Sequence, residues 1–126
     1  MLEEKGFTNA VLERRSFYRL PCEIPATLRL EEGGGAVATT IVNLSGRGCA
    51  ARVGAADEVR PGLGTLSFRL PGVEKGLAYR VRIGSVRLSP GGKLLGLAFE
   101  GLGGAEEAAL VQFILEAHRK EAAGTA

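Results

Sequence analysis

Two short stretches carry side chains whose types and spacing could do chemistry. In LERRSFYRLP, residues 12–21, Arg14, Arg15 and Arg19 crowd around Phe17 and Tyr18. A guanidinium offers a planar fork of N–H donors that grips phosphate or a guanine edge bidentately, and it stacks on flat rings. In NLSGRG, residues 43–48, Asn43 and Ser45 place short polar side chains at a strand end. Gly48 lacks a Cβ there, so a ligand or the turn backbone can come close. Taken singly, each stretch has a plain reading. The first is then a solvated basic segment whose aromatics cover the fold, and the second an ordinary β-turn.

The chemistry of catalysis is missing. Acid–base or nucleophilic catalysis needs paired carboxylates, or a nucleophile with its base. The chain has one aspartate, Asp57, and one histidine, His118, which lies beside Arg119 and Lys120 in a helical stretch. No Walker lysine motif occurs. GRGCAA, residues 46–51, matches a loose G-x-G-x-x-A string, but that fingerprint has meaning only where it opens a helix. Here it opens a stretch broken by Gly54 and Pro61. Cys22 and Cys49 are too few and too far apart for a zinc site or a disulfide framework, and read as small buried hydrophobes. These observations describe a binding module, with no catalytic residue and no metal.

Composition bounds the partners. At 126 residues and 45% hydrophobic, the chain reads as one domain with a packed core. A formal net charge of +2 is too small for a protein held on nucleic acid by many phosphates. Of the 16 basic residues, 12 are arginine, so the kind of cation says more than the sum. No apolar run approaches the ~20 residues of a membrane-spanning helix. The opening MLEEKGFTNAV lacks the pattern of a secretory signal, so a cytoplasmic location is expected and the NLS sequon at Asn43 has no bearing.

The elements that must position these residues are mostly strands. Ile24, Ala26, Leu28 and Leu30 alternate, and VATTIVNLS and GCAARV follow as a second and third strand joined by SGRG. GTLSFRL alternates through Leu66, Phe68 and Leu70. AYRVRIGSVRL alternates through Tyr79, Val81 and Ile83, then changes phase at Val86 and Leu88, so a bulge is expected at Gly84. LLGLAFEGL supplies a last strand with Leu95, Leu97 and Phe99 inward. The pattern then becomes helical in AEEAALVQFILEAHRKEAA, with acids at its start and cations near its end. Leu110, Val111, Ile114 and Leu115 mark its buried face. The fold class is therefore mostly β, a six-stranded antiparallel β-barrel with a C-terminal α-helix.

The two polar stretches acquire meaning together. RSFYR is an R-x-x-x-R with Arg15 and Arg19 at its ends, and NLSGRG is an N-x-S-x-x-G, one strand further on. With the barrel-like strand series and the final helix, the chain resembles the PilZ domain, a bacterial receptor for cyclic di-GMP. The resemblance runs from about Arg14 through the helix. It implies a lead-in over 1–13, a PilZ-like barrel domain with its helix over 14–122, and a tail over 123–126. It also implies that Arg15 and Arg19 grip guanine and phosphate, and that Asn43, Ser45 and Gly48 occupy the family's second motif. Asn43 stands where the family more often has Asp, and its amide can donate as well as accept. Arg14 extends the first motif to R-R-x-x-x-R, which favours an intercalated dimer of cyclic di-GMP over a single molecule.

The function implied is a cyclic di-GMP receptor or adaptor whose N-terminal arginine arm changes conformation on binding. The signal would pass to an effector protein in trans, because no output domain is evident. Self-association is open. Two other readings compete. One is a PilZ-like protein-interaction module without nucleotide, against which the intact Arg15, Arg19, Asn43, Ser45 and Gly48 speak. The other is a small β-barrel for single-stranded nucleic acid, for which only Phe17, Tyr18 and Tyr79 could supply stacking faces. The strand arginines Arg80, Arg82 and Arg87 and the outer helix face read equally as partner surfaces or as solvated positions.

Overall fold

Alternating side chains and glycine-rich turns build six strands, and these close on themselves. A computed structural model describes residues 19–33, 35–70 and 76–125. The strands are β1 (Leu20–Leu30), β2 (Ala36–Leu44), β3 (Gly48–Val53), β4 (Gly62–Phe68), β5 (Leu77–Ser89) and β6 (Gly92–Phe99), and one helix, α1 (Gly104–Thr125), follows. Their order around the closed barrel is β1-β2-β3-β6-β5-β4, and every neighbouring pair is antiparallel. Closure removes the open sheet edges that would otherwise invite pairing with another chain.

The alternation read from the sequence is the alternation that is buried. Leu20, Ile24 and Leu28 of β1, Leu66 and Phe68 of β4, and Tyr79, Val81 and Ile83 of β5 all face the interior. The register between β5 and β6 steps from Ile83↔Leu97 to Ser85↔Gly96, so the extra residue is Gly84, as the phase change predicts. Past that bulge Val86 is half-buried and Leu88 is exposed.

Several boundaries differ from expectation, the last strand among them, which ends at Phe99 rather than Leu102. The fourth strand begins at Gly62 and stops at Phe68, so Leu70 is buried from outside the strand. Its ladder with β1 ends at Ala26↔Phe68, and the next β1 residue is Pro25, which has no N–H to continue it. Both Pro21 and Pro25 lie in the half of β1 that pairs with β2 alone. The helix runs to Thr125, so its last turn contains no basic residue, while Glu106 and Glu107 do occupy the first turn. Arg119 and Lys120 therefore lie more than a turn before the end and do not complement the helix dipole there.

The helix packs on the barrel. Leu110 and Ile114 join the core fully buried, flanked by half-buried Phe113 and Ala117. Val111 and Leu115, expected on the same face, are only half-buried at its margin. Burying Leu110 and Ile114 contributes about 2 kcal/mol each. Tyr79 packs between two rings, with centroids 5.7 Å from Phe68 and 5.2 Å from Phe99. Burial, and then the charge of Glu106, raise its phenol pKa above the ordinary value. Among the described residues, no helix is long and apolar enough to cross a membrane.

Candidate ligand site at the β2–β3 turn

Asn43 is the junction of the site. It sits on β2 where the register with β3 steps from Ile41↔Ala51 to Asn43↔Ala50. At that irregularity its side-chain Oδ1 accepts the Ala50 backbone N–H at 3.1 Å, taking the place of a ladder bond. The same oxygen accepts Arg19 Nη1 at 2.7 Å, the short distance of a charge-assisted bond. Arg19 immediately precedes β1, and Pro21↔Asn43 pairing brings that strand end alongside. With Oδ1 accepting both bonds, the Asn43 amide N–H groups remain as donors. An aspartate in this place would offer no such donors.

Ser45 and Gly48 close the turn. Ser45 is buried, and its Oγ accepts Arg47 N–H at 3.3 Å and Gly48 N–H at 3.2 Å while donating to Gly48 O at 3.0 Å. Ser45 N–H also donates to Gly48 O at 2.8 Å. The hydroxyl is thus occupied within the turn and shapes it. Gly48 pairs with Ala98 of β6, and a Cβ at Gly48 would collide with the Leu97 carbonyl oxygen. The backbone that requires glycine here is that of β6, outside the turn itself.

Arg14, Arg15, Phe17 and Tyr18 lie outside the described residues, so of the first motif only Arg19 is placed. Cys22 and Cys49 lie behind the site. Cys22 is half-buried with Sγ 3.7 Å from Ile41 O, and burial pushes its thiol up to about 11. Cys49 is buried, and burial pushes its thiol up to about 12, with Cys22 adding to the rise and Arg19 opposing it. Neither is a nucleophile at neutral pH.

One residue escaped the sequence reading. Arg47, inside NLSGRG, directs its guanidinium to Glu107 of α1, with Nε 3.6 Å from Oε1. Its position within the motif was the available signal, but its partner lies far along the chain. The two residues line a hollow of about 350 Å³ with Gly46, Phe99, Gly101 and Leu102. A larger open hollow of about 860 Å³ lies elsewhere, among Glu31, Glu32, Glu58, Arg60 and Arg82. Among the described residues no cluster of three or more His, Cys, Asp or Glu could hold a metal.

The arrangement joins a guanidinium, an amide donor face and a rigid turn, a set suited to a phosphate and a purine edge. Comparison with known proteins identifies the fold. No curated protein matches the sequence. The PilZ domain of YcgR from Escherichia coli, solved with c-di-GMP, matches with a TM-score of 0.70 at 13% identity, covering 89% of this chain and 97% of that one. The Bacillus subtilis inhibitor of motility (MotI/DgrA) matches with a TM-score of 0.67 at 18% identity, covering 81% of this chain. The present chain spans 50% of that protein. The Borreliella burgdorferi PlzA protein, solved in complex with c-di-GMP, gives 0.60 at 15% identity over 96% of this chain and 58% of that one. At these identities the structural likeness carries the fold alone. The family profile of the PilZ domain, however, matches residues 13–116, and by that match this chain belongs to the PilZ domain family.

Proposed function

We propose that this chain is a cyclic di-GMP receptor, binding the dinucleotide between its arginine segment and the β2–β3 turn. The observation that carries the reading is the 2.7 Å bond from Arg19, the last residue of R-x-x-x-R, to Asn43, the first of N-x-S-x-x-G. Family membership supports it, as do the YcgR domain and PlzA, relatives of the same fold solved with c-di-GMP. In this reading Arg15 and Arg19 take guanine and phosphate, and the Asn43 amide donates to a base edge or phosphate oxygen. Ser45 and Gly48 hold the turn in shape. Arg14 adds a third guanidinium and favours an intercalated dimer of the ligand. The arm bearing these arginines changes conformation on binding and presents a new surface to an effector protein in trans. The single-stranded nucleic-acid alternative loses Tyr79, whose ring is enclosed between Phe68 and Phe99.

Titration calorimetry with cyclic di-GMP tests the site. Wild type is expected to bind, and Arg15→Ala/Arg19→Ala to lose at least a hundredfold in affinity, since two charge-assisted anchors go together. Retained affinity in the double variant defeats the assignment.

A further inference from the structure

Arg47 has its backbone fixed and its side chain partly exposed. Its N–H donates to Ser45 Oγ at 3.3 Å and its carbonyl accepts Phe99 N–H at 2.9 Å. Its side chain is 58% exposed and reaches Glu107 in the first turn of α1. The turn therefore holds the segment from Phe99 to Glu107 at both ends, by a backbone bond at one and an ion pair at the other. Between those ends Gly101 reverses the chain at φ +67°, and the segment lines the hollow of about 350 Å³ with Arg47.

The two attachments differ in how readily they exchange. The backbone bond is at ordinary hydrogen-bond length, whereas the Arg47–Glu107 pair is at 3.6 Å, long beside the 2.7 Å of Arg82–Glu100. A phosphate docked at the same turn would offer the Arg47 guanidinium two oxygens for a shorter, bidentate pair. Glu107 meanwhile places a carboxylate within reach of any anion docking there, so the carboxylate and an anionic ligand compete for one cation.

Resting on the receptor reading above, we propose that Arg47 is a further phosphate-binding residue of the site and that Glu107 is its built-in competitor. Ligand binding draws Arg47 from Glu107 and loosens the first turn of α1, while Leu110 and Ile114 keep the rest of the helix on the barrel. The helix start becomes the place where occupancy is read from outside. Because the pair is exposed, the coupling is small, and by reciprocity it appears equally in ligand affinity and in helix opening.

The test combines cyclic di-GMP titration of full-length wild type, Glu107→Gln, Arg47→Ala and the double variant with amide exchange over residues 104–109. Glu107→Gln is expected to tighten binding about two- to fivefold. Arg47→Ala is expected to weaken it about tenfold. Glu107→Gln should have no effect once Arg47 is gone. Exchange at the helix start should quicken about two- to fivefold when ligand is added to wild type. A purely structural ion pair would lower stability in both single variants and tighten binding in neither. Glu107→Gln binding no tighter than wild type, or tightening equally without Arg47, overturns the proposal. Should Arg47→Ala fail to fold, Glu107→Gln and the exchange rates decide alone. If wild type binds and Arg15→Ala/Arg19→Ala does not, a lack of effect at residues 47 and 107 overturns this inference only. If wild type does not bind, the receptor reading falls and takes this one with it.

Discussion

The β2–β3 turn and the wide hollow near Glu31 make opposite use of their polar groups. At the turn, Arg19 and the Ala50 amide both bond to Asn43 Oδ1, and Ser45 bonds across the turn to Gly48. At the hollow, which is more than twice the volume of the one beside Arg47, the charged side chains face water. Glu31 there pairs with Arg80 at 3.4 Å, with both side chains more than half exposed. Size alone would select the second region. Preorganisation favours the first as the proposed ligand site, because groups already held in place lose little freedom when a ligand arrives.

The largest expected contrast between the regions comes from their glycines. Gly48→Ala drives a methyl into the Leu97 carbonyl of β6, backbone that cannot step aside, and should destabilise the fold by about 3 kcal/mol. Gly35→Ala, at the rim of the large hollow, meets nothing within 4 Å and should change stability by less than about 0.5 kcal/mol. Denaturant unfolding of the two variants measures the difference, and equal effects would break the contrast.

Removing the polar junction is expected to cost less. Asn43→Ala leaves the Ala50 N–H without its acceptor and frees Arg19, for a loss of about 2 kcal/mol. Glu31→Gln, breaking the exposed pair with Arg80, should cost about 0.5 kcal/mol or less. Asn43→Asp keeps the acceptor and should restore most of the stability, which thermal unfolding would report.

The effect that vanishes at neutral pH concerns the thiols of Cys22 and Cys49. Their pKa values rise from 9.0 to about 11 for Cys22 and about 12 for Cys49. Folded values above unfolded ones mean that this stabilisation is complete below pH 9 and is lost as pH climbs from 9 toward 12. The loss sets in above pH 9 and grows as the unfolded thiols ionise while the folded ones stay protonated. Cys22→Ala/Cys49→Ala should flatten that part of the unfolding profile. An unchanged slope would mean that the pocket behind the turn is wetter than its burial implies.

Much of this molecule is legible locally. The alternation through Leu66, Tyr79, Val81 and Leu95, the bulge at Gly84 and the final helix follow from residue periods of two and 3.6, which neighbouring residues alone express. Of the pairing of RSFYR with NLSGRG, the described part is the bond from Arg19 to Asn43. Where the local signal ran past its reach, it erred. It carried β4 on to Leu70, because the stop at Phe68 depends on Pro25 in a different strand. It placed cations at the helix end, because it did not foresee helix continuing to Thr125.

By itself, the sequence determined which faces are apolar, where the chain turns, and which side chains could meet a phosphate and a purine. Only the tertiary structure decided which oxygen of which residue each cation finds. Arg19 on Asn43 Oδ1, Arg47 near Glu107, and Gly48 against Leu97 all join residues distant in the chain. Such contacts follow from the register in which the strands close and from where the helix settles on the barrel. Those are properties of the whole packed core, and no single stretch of sequence contains them.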